Sequence, residues 1–321
     1  MPRTVLSRRP ALAAALRPVL ALALLFGAPA AAQDTALERA PARALGKADT
    51  LRAADGWRTS LVAQLQGNQA AYSNWQEGGV NALAFTASAE GSFDRVVGRF
   101  LISQNGRLAF GLLRQDTLSF RKAVDVVRYG ATVETASDDA FRPYLGVSLR
   151  TQFADGYDYD PSPEDYPSLV VVPGEEVRVS TFAAPLVLGQ SVGLAYRPGG
   201  GFVARSGLAL RETAVSVREL RPVYGNGLDQ TVRVEVGVDV EAIFERDVME
   251  NVRLRSRLTA FQGFGVVGEA LPDVLFENAL VLKVNDLINV TLNGSALYDR
   301  DVSSDLQLRE TVALGLTFEL L

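Results

Sequence analysis

Neither cysteine nor histidine occurs anywhere in the 321 residues. Without cysteine there are no disulfides, no thiol nucleophile and no thiolate zinc site. Without histidine the commonest general base and the commonest metal ligand are missing. Most serine, cysteine and zinc hydrolases cannot be built from this alphabet. A Ser-Lys dyad or a bare carboxylate pair remains conceivable, but nothing marks one. Lysine is scarce, with only Lys47, Lys122 and Lys283, and none stands where a buried nucleophile is expected. The sequence therefore predicts no enzyme, no cofactor and no metal site.

Long apolar runs are also lacking. The longest, "VLALALLF" from Val19 to Phe26, is too short for a spanning helix, which needs about 20 residues. It follows Arg3, Arg8, Arg9 and Arg17 and precedes "GAPAAAQ", with Ala30 and Ala32 placed for cleavage before Gln33. That is the pattern of a secretory signal peptide, residues 1–32. Residues 33–56 are small, charged and weakly patterned, and read as a periplasmic tail or linker. Removing the four leader arginines from the 32 basic residues leaves 28 against 37 acidic ones, a balance of −9. An acidic exported chain with no basic tract is a poor nucleic-acid binder.

What the chain does have is alternation. In "TVRVEVGVDVEAIF", Val232, Val234, Val236, Val238 and Val240 share one face, while Arg233, Glu235, Asp239 and Glu241 share the other. Successive strand residues point to opposite faces. "INVTLNGSALY" repeats the pattern, as do Val312, Leu314, Leu316, Phe318 and Leu320 at the end. A soluble sandwich strand alternates too. Three features favour a membrane barrel instead: the export signal, strands of about ten residues, and dense charge on the polar faces, which a wet lumen tolerates and a packed core does not.

Strands are expected near 57–69, 80–94, 98–112, 120–134, 141–153, 187–197, 202–213, 231–245, 251–263, 274–284, 287–298 and 307–320. The connections alternate between short and long, as periplasmic turns and outside loops do in bacterial barrels. The fold class is thus all-β: a transmembrane antiparallel up-and-down barrel of about twelve strands over residues 57–321, preceded by the signal peptide and tail. The longest loop, 154–186, is rich in Asp, Tyr and Pro. It reads as a solvated outside loop, with a plug-like element as the alternative. Its acids lack the EF-hand spacing, so a solvated loop is favoured over a calcium site.

Arg233, Glu235, Asp239, Glu241, Arg253, Arg255 and Arg257 are the candidate lumen-lining residues, and opposite charges across a ladder stabilise its pairing modestly. A structural ion-pair ladder in a filled barrel competes with a solute-facing wall. "AAYSNWQEGGVNALAF", Ala70 to Phe85, falls at the first outside crossing. Tyr72 and Trp75 are expected as interfacial or rim anchors. Gly78 and Gly79 are expected to turn the chain, and Asn74 and Asn81 to hydrogen-bond loop backbone.

These segments resemble an uncharacterised family of bacterial outer-membrane proteins, known only as a domain of unknown function, number 3078. "SNWQEGGVNALAF" is similar to its opening motif, "FRKAVDVVRYG" to its F-R-K-x-x-D…Y-G strand, and "LRTQFADGYDY" to its T-Q-F-x-x-G-Y. "VSTFAAPLVLGQSVGLAYRP" and the closing strands match in order, from about Trp57 to Leu321. One departure is Val124, standing where the family has a second carboxylate before Asp125. The resemblance implies an outer-membrane location, in contact with membrane lipid and lipopolysaccharide and served by the barrel-assembly machinery. It implies no activity. Passage of small solutes through a charged lumen is the leading expectation, a closed structural or partner-binding barrel the alternative, and a barrel enzyme the least favoured.

Overall fold

The computed structural model describes residues 57–72, 80–166, 168–265, 272–299 and 306–321. Residues 1–56, with the expected signal peptide and tail, lie outside them, and so do Asn74, Trp75, Gly78 and Gly79. Fourteen strands follow in order: β1 (Arg58–Ala70), β2 (Ala82–Val97), β3 (Phe100–Gln115), β4 (Arg121–Thr135), β5 (Phe141–Thr151), β6 (Gly156–Asp158), β7 (Val177–Ser180), β8 (Leu186–Gly199), β9 (Phe202–Ala214), β10 (Val232–Met249), β11 (Val252–Gly263), β12 (Asp273–Lys283), β13 (Ile288–Tyr298) and β14 (Gln307–Glu319).

Twelve of them pair with their neighbours into a closed antiparallel barrel, and β14 returns to β1. The seam runs from Val62↔Glu319 to Gly67↔Leu314 and is extended by Leu320 N donating to Leu61 O at 2.8 Å. Closure gives every barrel strand a hydrogen-bonded neighbour on both sides. The expected strands correspond to the barrel strands within a few residues. The two additional short strands, β6 and β7, pair only with each other inside the long β5–β8 connection. They were not legible because that segment carries no alternating run.

The start of β1, the end of β14 and the short turns lie at one end, the terminal end, and the long connections join the strands at the other, the distal end. The short turns are built by residues that tolerate a left-handed backbone. Gly199, Gly200 and Gly201 turn β8 into β9 with φ of 91°, 66° and 84°, a conformation that costs glycine little. This is the role of the "RPGGG" stretch.

The alternation resolves into an apolar outside and a polar inside. Leu65, Leu108, Leu145, Leu194, Leu208, Val234 and Leu314 are each more than half exposed on the outer face. Glu90, Asp94, Glu134, Arg255, Glu277 and Thr291 are buried on the inner one. A water-soluble barrel would show the reverse, since contiguous exposed apolar surface marks contact with another phase. Aromatic residues mark both margins of the outer face. At the terminal end Phe141 stacks on Tyr196 at 4.8 Å, and Tyr196 meets Phe202 edge-on at 6.4 Å. At the distal end Phe85 meets Phe120 at 5.7 Å and Phe110 meets Phe153 at 5.3 Å. On β2, Phe85 and Phe93 are eight residues apart. At ~3.4 Å per residue and a typical tilt of ~40°, that is about 20 Å of height, close to the ~25 Å apolar band of outer-membrane barrels.

Candidate functional site

The lumen has two kinds of wall. Midway along the closing seam it is neutral and polar. Gln64 donates to Thr317 at 2.9 Å, Asn289 to the same hydroxyl at 2.6 Å, and Thr291 to Asn289 at 3.1 Å. From β2 round to β12 it is charged.

The centre of the charged wall is Glu134 on β4, whose side chain is fully buried. Arg197 of β8 binds both its oxygens, at 2.7 and 2.9 Å. Arg205 of β9 donates to Oε1 from Nε and Nη2, at 3.0 and 2.9 Å. Arg205 also reaches Glu241 of β10 at 2.8 Å, and Arg257 of β11 binds the other oxygen of Glu241 at 2.8 Å. Arg257 stands directly opposite Glu277 of β12. Five strands are thus tied by one relay of alternating charge, and the carboxylate of a sixth faces its end. Two-pronged guanidinium–carboxylate contacts are the strong form of such pairs.

A second group lies nearer the distal end. Arg211 of β9 joins Glu235 at 3.0 Å and Asp273 of β12 at 2.8 Å, and lies over the Phe261 ring at 4.0 Å. The bridge to Asp273 crosses past β10 and β11, so it runs over the lumen rather than along the wall.

A third crossing depends on glycine. Tyr144, Gly193, Gly207 and Asp239 form one register row across β5, β8, β9 and β10. The Tyr144 hydroxyl reaches Asp239 Oδ1 at 3.4 Å, over both glycines. A Cβ at Gly207 would overlap the Val192 carbonyl oxygen, and one at Gly193 the Ser206 carbonyl oxygen. Only glycine allows the two backbones to pass this closely.

These groups surround a cavity of about 470 Å³. Of the seven residues predicted to line the lumen, Arg233, Asp239, Glu241, Arg255 and Arg257 border it. Glu235 lies beside it, holding Arg211 and, at 3.4 Å, Arg233. Arg253 lies at the terminal mouth, paired with Asp247 at 2.7 Å where both are substantially exposed. Parity gave its face; only its distance from the β10–β11 turn gives its depth. Every cation bordering the cavity is an arginine. Lys283 sits at the terminal end against Asp286, at 2.7 Å.

Lys122 has a different task. Its ammonium donates to Asp125 at 2.9 Å and to the Ala154 carbonyl at 2.8 Å. Asp125 in turn accepts from Phe153 N at 3.0 Å and Ala154 N at 2.8 Å. Arg121 stacks over Tyr159 at 4.2 Å. A side chain at Gly156 would collide with the Ser180 hydroxyl. The F-R-K-x-x-D and T-Q-F-x-x-G-Y segments therefore meet as a latch that fastens the β5–β8 connection to the end of β4. Beyond the latch, Ala184, Val215 and Leu220 form a buried cluster with Leu169, Val217 and Tyr224. Tyr224 donates to Val179 O at 2.8 Å, binding the β5–β8 and β9–β10 connections together.

The acids of the long loop are dispersed among local contacts. Asp158 accepts from the Tyr166 hydroxyl at 2.9 Å and from Asp160 N at 3.0 Å, while Asp155 accepts from Thr181. Burial and the Asp158 carboxylate raise the Tyr166 phenol far above its ordinary pKa, and burial does the same for Tyr224. At the first distal crossing, Tyr72 is exposed and its amide donates to Asn81 Oδ1 at 2.6 Å, so Asn81 does bind loop backbone.

Fold and lining together define a transmembrane antiparallel β-barrel with a charged interior. Residues 67–157 match the family described as "Protein of unknown function (DUF3078)". The match covers the opening motif and both halves of the latch, the segments on which the resemblance rests most. No curated protein matches the chain. Among solved structures the chain is similar to an outer membrane channel from Pseudomonas putida F1, at 12% identity and TM-score 0.36, covering 81% of this chain and 94% of that one. It is also similar to the translocator domain of the autotransporter NalP from Neisseria meningitidis, at 10% and 0.33, covering 85% and 91%. The Pseudomonas putida toluene transporter TodX gives 10% and 0.33, covering 86% and 93%.

Proposed function

We propose that the protein resides in the outer membrane and conducts small polar solutes through its lumen, without enzymatic activity. The observation that carries this reading is the extent of the cavity. On β10 its lining runs from Arg233, one residue in from the distal end, to Glu245, four residues from the terminal end. Twelve residues of strand at ~3.3 Å each are about 40 Å, or roughly 30 Å of height at a usual tilt. The apolar outer face, its two aromatic margins and the signal-like leader support the location, with membrane lipid and lipopolysaccharide as neighbours and the barrel-assembly machinery as the inserting partner. Purified protein refolded into planar bilayers should give discrete conductance steps. A correctly folded sample that gives none sinks the reading.

The burial of Glu134 and its arginines favours a second reading, a barrel filled at mid-height that serves as a structural or partner-binding element. The same recording separates the two.

A further inference from the structure

Three arginines stand shoulder to shoulder on the lumen wall. Arg107 of β3 is the direct register partner of Arg128 on β4, and Arg128 is the direct partner of Arg150 on β5. Like charges directly opposite one another weaken strand pairing, and cross-strand neighbours on one face are only about 5 Å apart. At several other positions of the barrel arginine is set against carboxylate, as at Arg211↔Glu235, Arg255↔Glu245 and Arg257↔Glu277. Glu90 closes the inner end of the row, pairing with Arg107 at 2.6 Å.

The row is also inclined. Arg150 is one residue in from the distal end of its strand, Arg128 seven and Arg107 eight. It therefore descends from the distal mouth towards mid-barrel. Arg128 and Arg150 border the cavity, whose volume falls in the ~300–1,000 Å³ range of small-molecule sites. Ser148, also on β5, borders it beside Arg150. Guanidinium groups present planar forks of donors that match carboxylate and phosphate oxygens and stay charged at all physiological pH.

We propose that Arg107, Arg128 and Arg150 form a descending anion track, which takes small solutes bearing carboxylate or phosphate groups at the distal mouth and passes them towards the Glu134 relay. This deepens the channel reading and rests on it for the passage step, while the binding step stands alone. Wild-type protein folded in detergent should bind succinate or inorganic phosphate by titration calorimetry. The R128Q/R150Q variant should weaken that binding at least tenfold, and R128K/R150K should keep part of it. In bilayers under a KCl gradient the wild-type reversal potential should report a preference for chloride, which the glutamine pair diminishes. Arg150→Gln alone, at the mouth, substitutes should the pair fail to fold. Absent binding of both probes, or binding equal in wild type and variant, overturns the track whether or not the barrel conducts. Binding without conductance upholds the arginine site and refutes passage instead.

Discussion

Glu134→Ala tests whether the charged relay holds the barrel together. The carboxylate is fully buried, and its two arginines are about one-tenth exposed. Truncation removes four charge-assisted hydrogen bonds. Charged hydrogen bonds contribute roughly 1.5–3 kcal/mol each, but the loss is smaller than their sum, because Arg205 keeps Glu241. What remains is chiefly Arg197, a charge removed from water without its main partner. Breaking one side of a buried pair costs about 3–5 kcal/mol. With a urea slope of roughly 3 kcal/mol per molar, at the upper end of the range for small proteins, the midpoint should fall by about 1–2 M. Glu134→Gln, which keeps one oxygen acceptor, should lose about half as much. The assay is urea unfolding in micelles, followed by far-ultraviolet circular dichroism. Lys283→Ala is the control: its pair with Asp286 is exposed on both sides, and such pairs contribute little. A Glu134→Ala midpoint within about 0.3 M of wild type would refute the reasoning and mean that water reaches the relay freely.

Gly207→Val should cost more than the ~1–3 kcal/mol of ordinary overpacking, because the clash is with the backbone of Val192 and Gly193; a normal yield of folded barrel would contradict the close approach. Asp125→Ala removes the acceptor for Phe153 N, Ala154 N and Lys122, so a Glu-specific protease should cut the β5–β8 connection faster while the barrel's dichroism stays unchanged. Tyr166 should ionise well above the ~10 of a free phenol. Because its folded pKa is raised, its bond to Asp158 stabilises the loop fully below pH ~10 and is lost as pH climbs through the folded value; Tyr166→Phe should remove part of the late phase of a phenolate absorbance titration.

The barrel was legible because period two persists through nearly every strand, and a one-residue slip would send the valines of β10 into the lumen and its carboxylates into lipid. The pairing of β10 with β11 could likewise be read, since a short connection joins them; the turn is shorter than expected because β10 continues to Met249. Glu134 escaped notice for the opposite reason. Its partners Arg197 and Arg205 lie two and three strands away round the barrel, and no local pattern reports a contact across a closed curve. The descending arginine row was hidden too, because it depends on the stagger between β3, β4 and β5, which only their register supplies. The latch was visible as motif but not as mechanism: Lys122 and Asp125 read as a strand start until Ala154, 32 residues on, comes back to meet them.

The choice of arginine over lysine throughout the cavity lining makes the interior chemically silent to amine reagents. Succinimidyl dyes, aldehydes and reductive methylation are directed to Lys47, Lys122 and Lys283, the three lysines of the sequence, and leave the cations of the cavity lining untouched. A fluorophore or tether on the exposed Lys283 would thus leave the charges of the cavity wall unaltered.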